Sequence, residues 1–186
     1  MEAAEILTAW EKAAAPALRQ AAEALAGLTG LAVALDDAWV EWIPWRHFVE
    51  QLTAAYPAPL YLVTTQARGL FDVECWLVFT APHAQALVQA VTRSPAPEPL
   101  DARACSVLAE VGEVVASAFV NVLADRFQAA WKPEPLQVHY VTAGWLEDRA
   151  PGPTRVLVTE ARMRVTGTPV RASLLILPRD LHAGAP

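Results

Sequence analysis

Ser106-Val107-Leu108-Ala109-Glu110-Val111-Gly112-Glu113 opens an apolar-periodic run that continues to about Phe127. Leu108, Val111, Val115, Phe119 and Val122 recur at helical spacing and mark one stripe for burial. Ser106, Glu110, Glu113, Ser117 and Asn121 fall on a second stripe, at intervals of four, three, four and four residues. One helix therefore offers a core face and, beside it, a polar ladder carrying two carboxylates. Taken alone, such a ladder is what any solvated helix face looks like, so its meaning depends on the rest of the chain.

The chain has 186 residues, 54% of them hydrophobic. That is enough for one domain with a sizeable core, or for two small halves packed as one. Charges or prolines interrupt each apolar run before it reaches the length of a membrane span. The start, Met1-Glu2-Ala3-Ala4-Glu5, lacks the basic segment of a signal peptide. These features predict a soluble, cytoplasmic protein with no membrane partner. A net charge of −6 argues against nucleic acid, which needs a clustered basic surface, and permits a partner with a basic or metal-bearing face. Cys75 and Cys105 are too few and too far apart for a disulfide framework or a zinc site, and read as buried thiols.

In chain order, residues 5–26 form a first helix by pattern, with Pro16 inside it and Gly27 as its stop. Residues 31–35 form a short strand, and residues 38–45 an alternating one that Pro44 ends or confines to an edge. Residues 46–54 form a short helix. Residues 60–66 and 71–80 make an antiparallel hairpin. Pro82 suits the first turn of a helix over 83–91. Ser94-Pro95-Ala96-Pro97-Glu98-Pro99 is a stiff extended linker. Asp101 caps the long second helix. Residues 136–141 form a strand, 150–153 a loop, 155–165 and 169–177 a second hairpin, and 182–186 a frayed tail.

The order of elements repeats. A helix, a strand and a hairpin ending at Ala81-Pro82 answer to a helix, a strand and a hairpin ending at Pro178. The repeats run over about 1–93 and 100–181, with the proline-rich linker 94–99 between them, in a single domain spanning 1–186. The expected fold is α/β in two layers. A pseudo-twofold pair of helix-plus-sheet halves shares a mainly antiparallel sheet, with the two long helices on one face.

These residues resemble the CheC, CheX and FliY group of chemotaxis proteins. Each half of that group opens with a helix carrying Asp or Ser, then three residues, Glu, two residues, Asn, with a proline further on. Ser106, Glu110 and the position of Glu113 match that spacing, and Pro135 lies near the family's proline. Val111-Gly112 inside the motif, Ala116-Ser117-Ala118 and Leu123-Ala124-Asp125 after it, and Val158-Thr159-Glu160 and Leu174-Leu175-Ile176-Leu177-Pro178 in the second hairpin are also similar. The first copy fits with Glu11 at the Glu position and Trp42-Ile43-Pro44 in the strand region.

The resemblance implies a phosphatase for the phosphorylated response regulator CheY. The regulator supplies the aspartyl phosphate and its Mg²⁺, and the protein needs no cofactor of its own. The Glu pairs with a regulator lysine, and the Asn amide positions the attacking water. This sequence departs from that pattern where the chemistry lies. The first copy has Leu7 and Ala14 at the Asp/Ser and Asn positions, which makes Glu11 part of a silent site. The second has Glu113, a carboxylate that accepts hydrogen bonds but donates none when ionised. Asn121, the chain's one asparagine, lies eight residues on, about 12 Å along the helix. The candidate catalytic residues are thus Ser106, Glu110 and Glu113, with Glu11 in the silent copy.

Two functions follow from the resemblance. One is a CheC-like protein engaging a phosphorylated CheY-type receiver domain, with weak or lost phosphatase activity. The other is a non-catalytic binding module for a receiver domain or a CheD-like partner, or a structural part of a motility complex. Glu110 with Glu113 could also be an acid/base pair or half of a metal site, with His139 the nearest histidine in sequence, although an acidic pair at this spacing is usually solvent-facing. Trp39, Trp42 and Trp45 read first as packing, and as a docking surface only if they make an exposed patch.

Overall fold

The apolar periodicity of the first thirty residues yields one uninterrupted helix, α1 (Ala3–Thr29). It is followed by β1 (Val33–Pro44), α2 (Trp45–Ala55), β2 (Leu60–Arg68), β3 (Val73–Thr80) and α3 (Ala81–Thr92). Then come α4 (Ala102–Phe127), β4 (Lys132–Pro133), β5 (Gln137–Val141), β6 (Arg155–Val165) and β7 (Arg171–Pro178). A computed structural model describes residues 3–56, 59–142, 145–146 and 155–179. The loop at 150–153 and the tail at 182–186 lie outside these.

Local signals account for most boundaries. Asp101 Oδ1 accepts a hydrogen bond from Ala104 N at 2.8 Å, capping α4. Pro82 sits in the first turn of α3. Gly27 does not end α1. The helix continues to Thr29, and Gly30, at φ +68°, turns the chain. Leu25 and Leu28 pack into the core on either side of Gly27, so burial outweighs its poor helix propensity of about 1 kcal/mol. The strands expected at 31–35 and 38–45 are a single strand, β1, with a bulge between Leu35 and Asp37. Asp36 at the bulge meets Arg164 at 2.9 Å and Arg171 at 3.8 Å. The hydrogen bond from Arg164 holds its carboxyl below the usual carboxylate range.

All strand pairings are antiparallel. The order across the sheet is β1-β6-β7-β3-β2, with β4 and β5 both on the outer side of β2. If β1, β2 and β3 exchange places with β5, β6 and β7, the order β1-β6-β7-β3-β2-β5 reads the same from the other end. Each half lends its first strand to the edge of the other half's hairpin. The central ladder is β3–β7, where Trp76 and Leu77 pair with Leu175 and Leu174. Pro82 and Pro178 are not equivalent, however: Pro82 lies within α3, whereas Pro178 ends β7.

One face of the sheet is covered by α1, α3 and α4. Val73, Cys75, Leu77 and Phe79 of β3 point into that core, while Trp76 and Val78 point to the other face. There α2 lays down Trp45, Phe48, Val49 and Leu52. This back-face helix goes beyond the two-layer expectation. It also explains why β3 and β7 read as nearly continuous apolar runs, since both of their faces are covered. α4, at 26 residues, corrects the reading that no apolar run is long enough to span a membrane: by length and composition it is. Here its apolar stripe is packed against α1 and the sheet.

α4 rests on β2 at Gly112. A Cβ at that position would lie 2.5 Å from Val63 Cγ1 and 2.7 Å from Leu136 Cδ2. Val63 is buried and β-branched, and has little freedom to swing aside. Gly112→Ala should therefore lower the urea or thermal midpoint. Overpacking typically costs about 1–3 kcal/mol, against a helix-propensity gain of about 1 kcal/mol. An unchanged or higher midpoint would mean that α4 can lift off β2 freely. The thiols give a second check. Burial pushes Cys75 up to about 12, and raises the half-buried Cys105 as well. A thiol reagent at pH 8 should leave Cys75 unmodified until the protein unfolds, because the reactive thiolate is absent. Rapid labelling of native Cys75, read by mass spectrometry, would contradict this burial.

Candidate functional site

Helical spacing sorts the residues of α4 as the sequence indicates. Leu108, Val111, Val115 and Phe119 are fully buried, and Val122 is partly so. Ser106, Glu110, Glu113 and Asn121 are exposed, and Ser117 is half-buried. Ser106 Oγ donates to its own helix, at the Ala102 carbonyl 2.9 Å away. Glu110 and Glu113 make no hydrogen bond or ion pair among the described residues. Like charges one turn apart disfavour each other by a few tenths of a kcal/mol, about 0.2–0.5. The fold alone gains nothing from this pair.

The position of the ladder is fixed at both ends. Asp101 caps the start of α4. At its other end the rings of Phe71, Phe127 and Trp131 meet edge to face, with centroids 5.4–5.8 Å apart. Trp131 Nε1 donates to the Phe71 carbonyl at 3.0 Å. The chain then turns back along α4, and Glu134 N donates to the Gln66 carbonyl at 2.7 Å. A cleft of about 220 Å³ is left between α4 and residues 133–136, with Glu113 and Pro135 both on its walls. Pro135, noted in the sequence only for its position along the chain, thus lines the same cleft as Glu113.

The first motif is different. Glu11 is exposed and Leu7 half-buried, but Ala14 is only 2% exposed. α1 and α4 pack together here, with the Trp10 ring 6.1 Å from the Phe119 ring. The first copy lacks the amide and also any opening for one.

His139 is not a partner of Glu110 and Glu113. It pairs in register with Leu62, on the face of the sheet turned towards α2, away from α4. Its Nε2 lies 3.2 Å from Thr64 Oγ1, and its ring lies against Trp145. Among the described residues no three metal-ligating side chains gather. The tryptophans form no common surface either. Trp45, the first residue of α2, is buried between that helix and the sheet, and Trp39 and Trp42 are half-buried on opposite faces of β1. Trp10 is wholly buried, and its Nε1 donates to Thr159 Oγ1 at 2.8 Å.

Two buried carboxylates each interrupt an apolar strand, which is a readable signal; Glu160 enters the sequence resemblance only as part of Val158-Thr159-Glu160, and Glu74 not at all. On β6, Glu160 Oε1 accepts from Ser173 Oγ at 2.8 Å and from Arg162 Nε at 3.2 Å. Tyr56 OH is bonded to Ser173 in turn, and burial raises the Tyr56 pKa. On β3, Glu74 Oε1 accepts from Trp76 Nε1 at 2.8 Å. Its Oε2 has Arg179 Nε at 2.8 Å, outside hydrogen-bond geometry, as an ion pair. Both satisfy polar groups on the α2 side of the sheet and face away from the ladder.

This architecture is that of a group of chemotaxis proteins. No family model matches the chain, and no curated protein matches it by sequence. Solved structures do match in fold. Thermotoga maritima FliY superposes with a TM-score of 0.65 at 14% identity, over 88% of this chain and 84% of that one. The FliM middle domain from H. pylori gives 0.66 at 9%, over 94% and 92%. CheX from Borrelia burgdorferi, crystallised in a complex with CheY, BeF3 and Mg²⁺, gives 0.57 at 11%, over 88% and 94%. The chain has the CheC-like fold, and the resemblance read from its sequence holds at that level.

The burial of position 14 can be tested directly. Ala14→Asn should destabilise the protein by about 1–3 kcal/mol, the cost of a buried amide without partners, and should create no new activity. A variant as stable as the parent, with the amide in solvent by NMR, would show that α1 leaves this site open.

Proposed function

We propose that the chain is a cytoplasmic, CheC-like chemotaxis protein that docks a phosphorylated CheY-type receiver domain on α4, with aspartyl-phosphate hydrolysis weak or lost. The observation that carries this reading is the row Ser106, Glu110 and Glu113. It is exposed, and its two carboxylates make no hydrogen bond or ion pair among the described residues, on a helix whose position in the fold is fixed by Gly112. The CheX structure with CheY supports the choice of partner. A CheD-like partner draws no support from these neighbours.

The chemistry follows from the side chains. In-line attack on an aspartyl phosphate needs a water held behind the phosphorus by a group that adds no negative charge. A carboxamide can accept from that water and donate elsewhere; an ionised Glu113 can only accept. At about 4 Å from a phosphoryl oxygen, its charge costs on the order of 4 kcal/mol at an effective dielectric near 20. Mg²⁺ and a lysine brought by the receiver would offset part of this. Glu110 is the docking residue, set to pair with that lysine. Glu11 has no role in hydrolysis.

The absent amide favours a second reading, in which the chain binds the receiver without turning it over. One experiment separates the two: decay of a phosphorylated CheY-type receiver with wild type, Glu11→Ala, Glu110→Ala and Glu113→Asn. Glu113→Asn should raise the rate by about 10²–10³, the usual worth of a well-placed charge-stabilising group. Glu110→Ala should abolish that gain by weakening docking, and Glu11→Ala should change nothing. A fast wild type slowed by Glu113→Asn would make the carboxylate the catalytic group. Binding with no hydrolysis in any variant would leave the pure binding module. Absence of binding to any receiver would remove both readings.

A further inference from the structure

The cleft beside α4 has two unlike sides to its chemistry. Ala116 and Val120 of the helix, Ala67 of β2, and Pro133 and Leu136 opposite make most of its lining apolar. Its two carboxylates differ. Glu134 is engaged by Arg68, with Nη2 2.7 Å from Oε1. Glu113 is exposed and makes no hydrogen bond or ion pair among the described residues. The walls are held firmly, by Gly112 against Val63 on one side and by the Phe71–Phe127–Trp131 rings on the other. The slot is therefore already formed, and its free charge is negative.

An apolar slot with one unpaired carboxylate suits a side chain that is aliphatic along its length and cationic at its tip. A purely apolar side chain would desolvate Glu113 without compensation, and an acidic one would be repelled. The net charge of −6 favours the approach of a basic surface. We propose that this cleft is the socket for one lysine or arginine side chain of the docked receiver domain, its stem on Ala116, Val120 and Leu136 and its charge at Glu113. The inference rests on the docking reading above. With its carboxylate turned into the cleft and held by that cation, Glu113 is kept off the phosphoryl oxygen, so the repulsion described above applies only when the socket is empty; this role in choosing the partner is separate from the lysine assigned to Glu110.

The test is calorimetric titration of BeF3-activated CheY-type receiver domains from the source organism. It uses wild type, Glu113→Gln, Glu113→Lys, Ser117→Leu and Asp125→Asn. Glu113→Gln removes the charge at constant size and should weaken binding about 5-fold at low salt, the upper range for a partly exposed pair. It should also flatten the salt dependence, and Glu113→Lys should weaken binding further. Ser117→Leu fills the cleft while leaving Glu113 intact, and should weaken binding about 10-fold with an unchanged circular dichroism spectrum. Asp125→Asn removes an exposed carboxylate of the same helix outside the cleft and should bind as wild type. If wild type binds and the Glu113 and Ser117 variants bind equally well, the socket is wrong and the docking reading stands. If Asp125→Asn loses as much as Glu113→Gln, general charge attraction replaces the socket. If wild type binds no receiver, the docking reading fails and the socket fails with it.

Discussion

The close approach of α4 to β2 at Gly112 is the constraint on which the rest of the structure depends. With no side chain at this point, the helix lies directly on Val63 and Leu136. That depth buries Leu108, Val111, Val115 and Phe119 completely. Helical geometry then leaves the residues on either side of Gly112 no choice. Val111 must point inward, while Glu110 and Glu113 must stand on the outer surface. The same contact brings Leu136 against the helix and so defines one wall of the cleft beside Glu113. Core and candidate site are set by one van der Waals contact.

The sheet imposes the second constraint. Because β1 lies on β6 and β5 lies on β2, neither half can complete its own sheet. Trp10 of the first half reaches Thr159 of the second through a buried hydrogen bond, which ties the halves together again. The topology is symmetric but the surfaces are not. α2 covers the back face after β1, and Ala14 of α1 is buried where Glu113 of α4 is exposed. Among the described residues, the Glu110 and Glu113 row of α4 is accessible, while Ala14 closes the corresponding stretch of α1.

Charge distribution separates structure from candidate function. The buried carboxylates, Glu74 and Glu160, are each met by an arginine and a neutral donor. This is what a low-dielectric setting demands, because a buried charge without partners is costly. Among the described residues Glu110 and Glu113 have no such partners, and in solvent they need none. Their unpaired charges leave Coulomb energy available to a cationic partner, and that energy grows as docking expels water.

The sequence by itself determined what depends on neighbours along the chain. The two stripes of α4, the cap at Asp101 and the two hairpins were legible, because helix and strand periods and capping bonds are local properties of the backbone. That Ala14 and Glu113 stand where an amide is expected came from the family resemblance, not from any local pattern. Tertiary structure decided everything that turns on which surface is covered. It carried α1 past Gly27, placed α2 on the back face, turned His139 away from the acidic row, buried Ala14 and closed the cleft beside Glu113. Each of these depends on contacts between residues far apart in sequence, through burial and packing that no local pattern encodes.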